Sequence, residues 1–122
     1  MSCILLVDDH AEFLAVQQEL LENAGHTVVT AINGFKALAA VDAGSFDLVI
    51  TDIIMPGKEG LETIMELRRR HPLLKVIAMS GGGRMGAMSY LELAEKLGAI
   101  HTLEKPFNEA VLIEAVNMAL NA

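Results

Sequence analysis

Five short apolar runs alternate along this chain with five helix-like segments, and that alternation leaves few folds open. The strand-like runs are Cys3 to Val7, Thr27 to Ala31, Phe46 to Thr51, Lys75 to Met79 and Ile100 to Leu103. Most are apolar throughout rather than at every second residue, the pattern of strands covered on both faces. Between them the spacing predicts helices, each closed by a breaker. One runs from Ala11 to Ala24, stopped by Gly25, with Phe13, Val16, Leu20 and Leu21 facing inward. The next runs from Gly34 to Ala43, between an Asn33 cap and Gly44. Glu59 to His71 carries Leu61, Ile64 and Leu67 on one face and ends at Pro72. A fourth helix resumes near Ala87 or Met88 and stops at Gly98, and Asn108 opens a fifth bearing Leu112, Val116 and Leu120. The expected class is α/β: a doubly wound, five-stranded parallel sheet with helices on both faces.

At 122 residues, 52% hydrophobic and 20% charged, the chain suits one packed domain spanning 1–122, and no output domain is expected beyond it. No apolar run approaches the ~20 residues of a membrane span. Met1 to Val7 lacks the basic start of a signal peptide, and the single cysteine, Cys3, fits a reducing compartment, so a cytoplasmic location is the expectation. A net charge of −7 argues against direct DNA binding, which needs a basic footprint. The one basic run, Arg68-Arg69-Arg70, lies at a helix end, where cations complement the dipole.

The chemistry gathers where strands end. Asp52 closes the third run and is followed by Pro56 and Gly57, which cannot extend a strand. Asp8 and Asp9 follow the first run, Ser80 the fourth, and Lys105 with Pro106 the fifth. In a parallel sheet those ends share one edge, where loops converge on ligands. Carboxylates brought together there repel one another unless a cation joins them or one stays protonated, and oxygen-only donors in an open site suit Mg²⁺. The four histidines, His10, His26, His71 and His101, lack ligand spacing and read as ordinary surface or strand residues. A carboxylate facing Mg²⁺, a hydroxyl and an ammonium is equipped for in-line phosphoryl transfer to an aspartate. Taken singly, each element has a plainer role as cap, turn or loop; their joint appearance at successive strand ends is what points to chemistry.

Val7-Asp8-Asp9, the Asp52-x-x-Met55-Pro56-x-x-x-Gly60 loop, Ser80 and Lys105-Pro106-Phe107 resemble, in order and spacing, the receiver domain of bacterial two-component response regulators, over essentially the whole chain. The resemblance implies the flavodoxin-like strand order 2-1-3-4-5. It makes Asp52 the phosphorylation site, charged by a histidine kinase, a phosphotransfer protein or a small phosphodonor. It assigns Asp8, Asp9, Asp52 and the backbone carbonyl of Ile54 to Mg²⁺, Asp8 through water. Ser80 and Lys105 take the phosphoryl group, and the bond between Lys105 and Pro106 is expected to be cis. The protein would then be a stand-alone switch, or a relay, acting on an unidentified downstream protein, with only self-directed catalysis.

Two features depart from the family pattern. Thr102 stands where a switching aromatic is usual, and the segment after Ser80 is long and glycine-rich, so Gly81 to Met88 and the helix that follows are expected to carry the conformational change instead. Met79, Met85 and Met88 cluster around the glycine-rich loop and read first as gap-fillers. Other functions fit less well. An aspartate-nucleophile phosphatase of the haloacid-dehalogenase type needs a second Asp where Ile54 stands. A nucleotide hydrolase needs the Gly-Lys-Ser/Thr ending that Gly81 to Gly86 lacks. A flavodoxin-like small-ligand module is short of stacking residues at 4% aromatic content, and a pseudo-receiver would have lost one of the acidic residues or Lys105.

Overall fold

The computed structural model of the chain describes residues 2–53, 59–81, 84–85 and 88–122. Expectations for Ile54, the Met55-Pro56-Gly57 turn, Ala87 and the 82–83 and 86–87 parts of the Gly81 to Met88 segment lie outside them. In chain order the elements are β1 (Cys3–Val7), α1 (Ala11–Asn23), β2 (Thr27–Ala31), α2 (Gly34–Ala43), β3 (Leu48–Asp52), α3 (Glu59–Arg70) and β4 (Lys75–Ser80). A short pair follows, β5 (Arg84–Met85) and β6 (Met88–Ser89), then α4 (Tyr90–Lys96), β7 (His101–Glu104) and α5 (Glu109–Leu120). One five-stranded sheet is parallel throughout, in the order β2-β1-β3-β4-β7; with β7 as its fifth strand this is the expected 2-1-3-4-5. The β5 and β6 strands form a separate antiparallel pair.

Both faces of the sheet are buried, and the strands divide their side chains between two cores with period two. Ile4 and Leu6, Leu48 and Ile50, and Ile77 and Met79 pack into the core that holds Leu14 and Leu21 of α1 and Leu112 and Val116 of α5. The alternate residues Leu5, Val7, Val49, Val76 and Ala78 join the opposite core, with Val41 of α2, Ile64 and Leu67 of α3, and Ala94 of α4. This is why the central strands read as unbroken apolar runs. Among the described residues no helix is long and apolar enough to cross a membrane.

Several expected boundaries move, each for a local reason. The third strand starts at Leu48 rather than Phe46, because Asp47 brackets the start of β1: its N–H donates to the Cys3 carbonyl at 2.8 Å and its carboxylate accepts from the Cys3 N–H at 2.8 Å. The ladder proper begins one residue later, with Ile4 opposite Leu48. The fourth helix starts at Tyr90, not near Met88, since Ser89 and Glu92 form a capping box that fixes its first turn. On α1 the inward positions are Leu14, Gln17 and Leu21, with Phe13 and Leu20 at their flanks, whereas Val16 is 55% exposed. Asn33 and Asn108 cap α2 and α5 as expected, each accepting a backbone N–H at 2.9 Å.

Candidate functional site

Strand register builds the site. Val7 pairs with Thr51, so Asp8 and Asp52 emerge at the same level from adjacent central strands. Ser80 pairs with Glu104, and the Lys105 N–H donates to the Ser80 carbonyl at 2.8 Å, which carries the lysine one step past the edge beside them. The Lys105 ammonium then reaches back across the edge, donating to Asp8 Oδ2 at 2.7 Å and Asp52 Oδ2 at 3.1 Å. Asp8, Asp52 and Ser80 are all buried, Asp9 is exposed, and the peptide bond between Lys105 and Pro106 is cis. Thr51 is buried next to Asp52 and donates its hydroxyl to the Asp52 carbonyl at 3.1 Å.

Thr102 sits apart from this cluster, in mid-strand opposite Ala78, where it lines a groove between β7 and α5 with Leu103, Ala115 and Met118. Met79 is fully buried in the core beneath the edge, as the gap-filling reading expects.

Electrostatics tie the cluster together. Burial by itself would raise the Asp8 pKa, but hydrogen bonds from Lys105 and His10, together with the lysine's charge, outweigh it and hold the carboxyl below its ordinary value. Burial likewise pulls Lys105 down, and the bond to Asp8 with the bond and charge of Asp52 more than reverse it, leaving the ammonium above its usual range. Each charge is thus kept ionised by the other.

Two residues join the site that sequence reasoning did not place there. His10 donates its backbone N–H to Asp8 Oδ1 at 2.9 Å, and its Nδ1 lies 3.0 Å from Oδ1 of both Asp8 and Asp9. The hydrogen bond to Asp8, then the charges of Asp9 and Asp8, raise the imidazole above its usual value. The available signal was adjacency to the aspartate pair, not ligand spacing. Phe13 is the second: the Lys105 ammonium stands 4.3 Å from its ring centroid, and Phe107 meets the same ring edge-on, with centroids 6.0 Å apart and planes at 86°. Its place in the helical period announced only a core residue.

The donor set fits a hard divalent cation. One ligand atom each from Asp8, Asp9, His10 and Asp52 lies within 4.8 Å of the others, and three of the four are carboxylate oxygens. Gly60, at the end of the Asp52 loop motif, has a structural cause: a Cβ there would collide with the backbone of Ile53, the residue after Asp52. Ile53 is itself pinned by its N–H donating to the Met79 carbonyl at 2.9 Å.

Comparison with known proteins gives a consistent picture. Residues 4–117 match the model of the response regulator receiver domain. The transcriptional regulatory protein CpxR of Klebsiella pneumoniae is 38% identical over 120 residues, 98% of this chain but 50% of that protein. The chain therefore spans about half the length of this relative. Among solved structures, the response regulator TrrA of Thermotoga maritima, determined in complex with Mg(2+)-BeF, is 34% identical with a TM-score of 0.85, covering 98% of this chain and 99% of that one. A CheY-like receiver domain protein from Methanospirillum hungatei is 27% identical with a TM-score of 0.91, covering 99% and 94%.

Proposed function

The chain belongs to the response regulator receiver domain family, and from that premise we propose that it takes a phosphoryl group onto Asp52 in a Mg²⁺-dependent reaction and uses that covalent state as a signal. The observation that carries the proposal is the convergence of Asp8, Asp9, Asp52 and Lys105 at one sheet edge, with the ammonium 2.7 and 3.1 Å from two of the carboxylates.

Asp9 and Asp52 would hold the cation, with Asp8 acting through water and the Ile54 carbonyl completing the set. When bound, Mg²⁺ supplies positive charge that offsets the phosphoryl oxygens. The chain's own residues do the rest. The Asp52 carboxylate attacks phosphorus, a P–O bond to Asp52 forms, and the bond to the donor breaks. Its electron pair leaves on the imidazole nitrogen of a phosphohistidine or on the acetate of acetyl phosphate. A carboxylate attacks as the anion, so this step calls for no general base. The Lys105 ammonium shifts its hydrogen bonds from carboxylate to phosphoryl oxygen, and the Ser80 hydroxyl, buried at the end of the neighbouring strand, takes another.

The donor in the cell would be a histidine kinase or a phosphotransfer protein, in the cytoplasm. The receiver's catalysis serves only its own modification, and its output is a changed surface offered to another protein, or onward relay. This segment, with its net charge of −7, would not itself grip DNA. With Thr102 in mid-strand and no aromatic there, we place the conformational response in the segment from Gly81 to Met88. Intact-mass measurement after incubation with Mg²⁺ and acetyl phosphate tests the reading. A labile phosphoryl adduct is expected on the native chain and none on Asp52→Asn; an equal adduct on both, or none on either, refutes it.

A further inference from the structure

Resting on that reading, we propose that Phe13 is a positioning residue for phosphoryl transfer: its ring face, braced by Phe107, fixes the Lys105 ammonium where the incoming phosphoryl group must be met. The ammonium has carboxylate oxygens on one side, at 2.7 and 3.1 Å, and a π-face at 4.3 Å on another. Phe13 belongs to the first turns of α1, whereas Phe107 follows the cis Lys105-Pro106 bond. The edge-on contact between the two rings, 6.0 Å between centroids at 86°, ties the helix to the segment that delivers the lysine.

A ring face attracts a cation electrostatically, and more strongly when water is excluded, as it is around a lysine side chain only 19% exposed. A long, flexible lysine stem would otherwise spread its head over many positions. When Asp52 is phosphorylated it becomes an ester, and the ammonium loses one of its two carboxylate partners while keeping the one at Asp8. The ring face, uncharged and unmodified, is a contact that the reaction leaves in place and that fixes the ammonium from a side Asp8 does not. An aliphatic side chain of similar bulk would fill the same space in the core without holding the charge.

The test separates those two roles in the full chain. Mg²⁺ affinity, Mg²⁺-beryllofluoride affinity, and the rate of phosphorylation by acetyl phosphate are measured for the native protein, Phe13→Leu and Phe13→Tyr, with Phe13→Met as a second aliphatic replacement should the leucine variant misfold. The expected result is a loss of about three- to tenfold in beryllofluoride affinity and phosphorylation rate for the aliphatic variant. Its Mg²⁺ affinity should be native, and both losses should be restored by tyrosine, which keeps the ring. The proposal is overturned if the aliphatic variant binds beryllofluoride as the native chain does, if Mg²⁺ affinity falls in step, or if tyrosine is no better than leucine. A native chain that accepts neither beryllofluoride nor acetyl phosphate overturns the phosphoacceptor reading itself, which the native measurements reveal before any variant is compared.

Discussion

Asp8 is fully buried, and its charge survives there because Lys105 and His10 contact it on separate oxygens. Its folded pKa is depressed, so its contribution to stability is present above the ordinary value of 3.8 and disappears as pH falls through the lower folded value. Lys105 runs the other way: its pKa is raised, so its contribution holds below 10.5 and is lost as pH climbs through the higher folded value. In Mg²⁺-free protein, the Asp8 carboxyl carbon should titrate below 3.8 by NMR. In Lys105→Met its midpoint should move upward, because burial, the largest single influence, then loses its main opponent. Urea unfolding at neutral pH should show that variant destabilised by roughly 1–3 kcal/mol, a charge having been left buried beside a second carboxylate. Unchanged titration would mean the short contact contributes little. The place of Asp8, Asp9, Asp52, Ser80 and Lys105 at one sheet edge was legible in sequence because each ends a strand or follows one within two residues. His10 and Phe13 were not, since one depends on a side-chain rotamer and the other on how α1 lies against the segment after β7.

Gly60 shows how one element start is dictated by another element's end. Helix α3 begins close against Ile53, leaving no room for a Cβ, and the obstacle is backbone, which cannot swing aside. Gly60→Ala should therefore cost about 1–3 kcal/mol by overpacking, despite alanine's better helix propensity, as measured by urea unfolding. A stabilised variant would show that α3 can shift. At the other end of α3, Arg69 and Arg70 both grip Glu66, and Arg70 and His71 reach Asp42 of α2. Hydrogen bonding and charge from Arg69, then Arg70, bring the Glu66 pKa down from 4.5 to about 2. The Glu66 pairs should persist from neutral pH to below 4.5 and dissolve only near 2, and a carboxylate titration of Arg69→Ala should return Glu66 toward its ordinary value. The sequence reading of Arg68-Arg69-Arg70 as dipole partners caught their place but not this bridge between helices. Other limits of that reading are similar in kind. Gln17 hid the inward stripe of α1 by being polar, and the capping box at Ser89 was present in the sequence but overshadowed by the glycines before it.

At the scale of the whole molecule, what matters is that a parallel sheet delivers the ends of all its strands to one edge. The register of β1 against β3 sets Asp8 level with Asp52, and that of β4 against β7 brings Ser80 and Lys105 alongside. The two cores on either side of the sheet hold that register, because slipping a strand by one residue would send each side chain into the opposite core. Order and topology were readable from the alternation of runs and the family resemblance. That the charges converge was readable too; the fold added which atoms meet, with the Lys105 ammonium 2.7 Å from Asp8 and 3.1 Å from Asp52.

The most direct measurement of the central claim is chemical trapping of the modified residue. The native chain is incubated with acetyl phosphate, in Mg²⁺ or in EDTA, and quenched with borohydride, which reduces an aspartyl phosphate to homoserine; peptide mass spectrometry then locates the product. Homoserine is expected at position 52 alone, and only with Mg²⁺. Trapping at Asp8 or Asp9, or equal trapping at Asp52 in EDTA, would contradict the account.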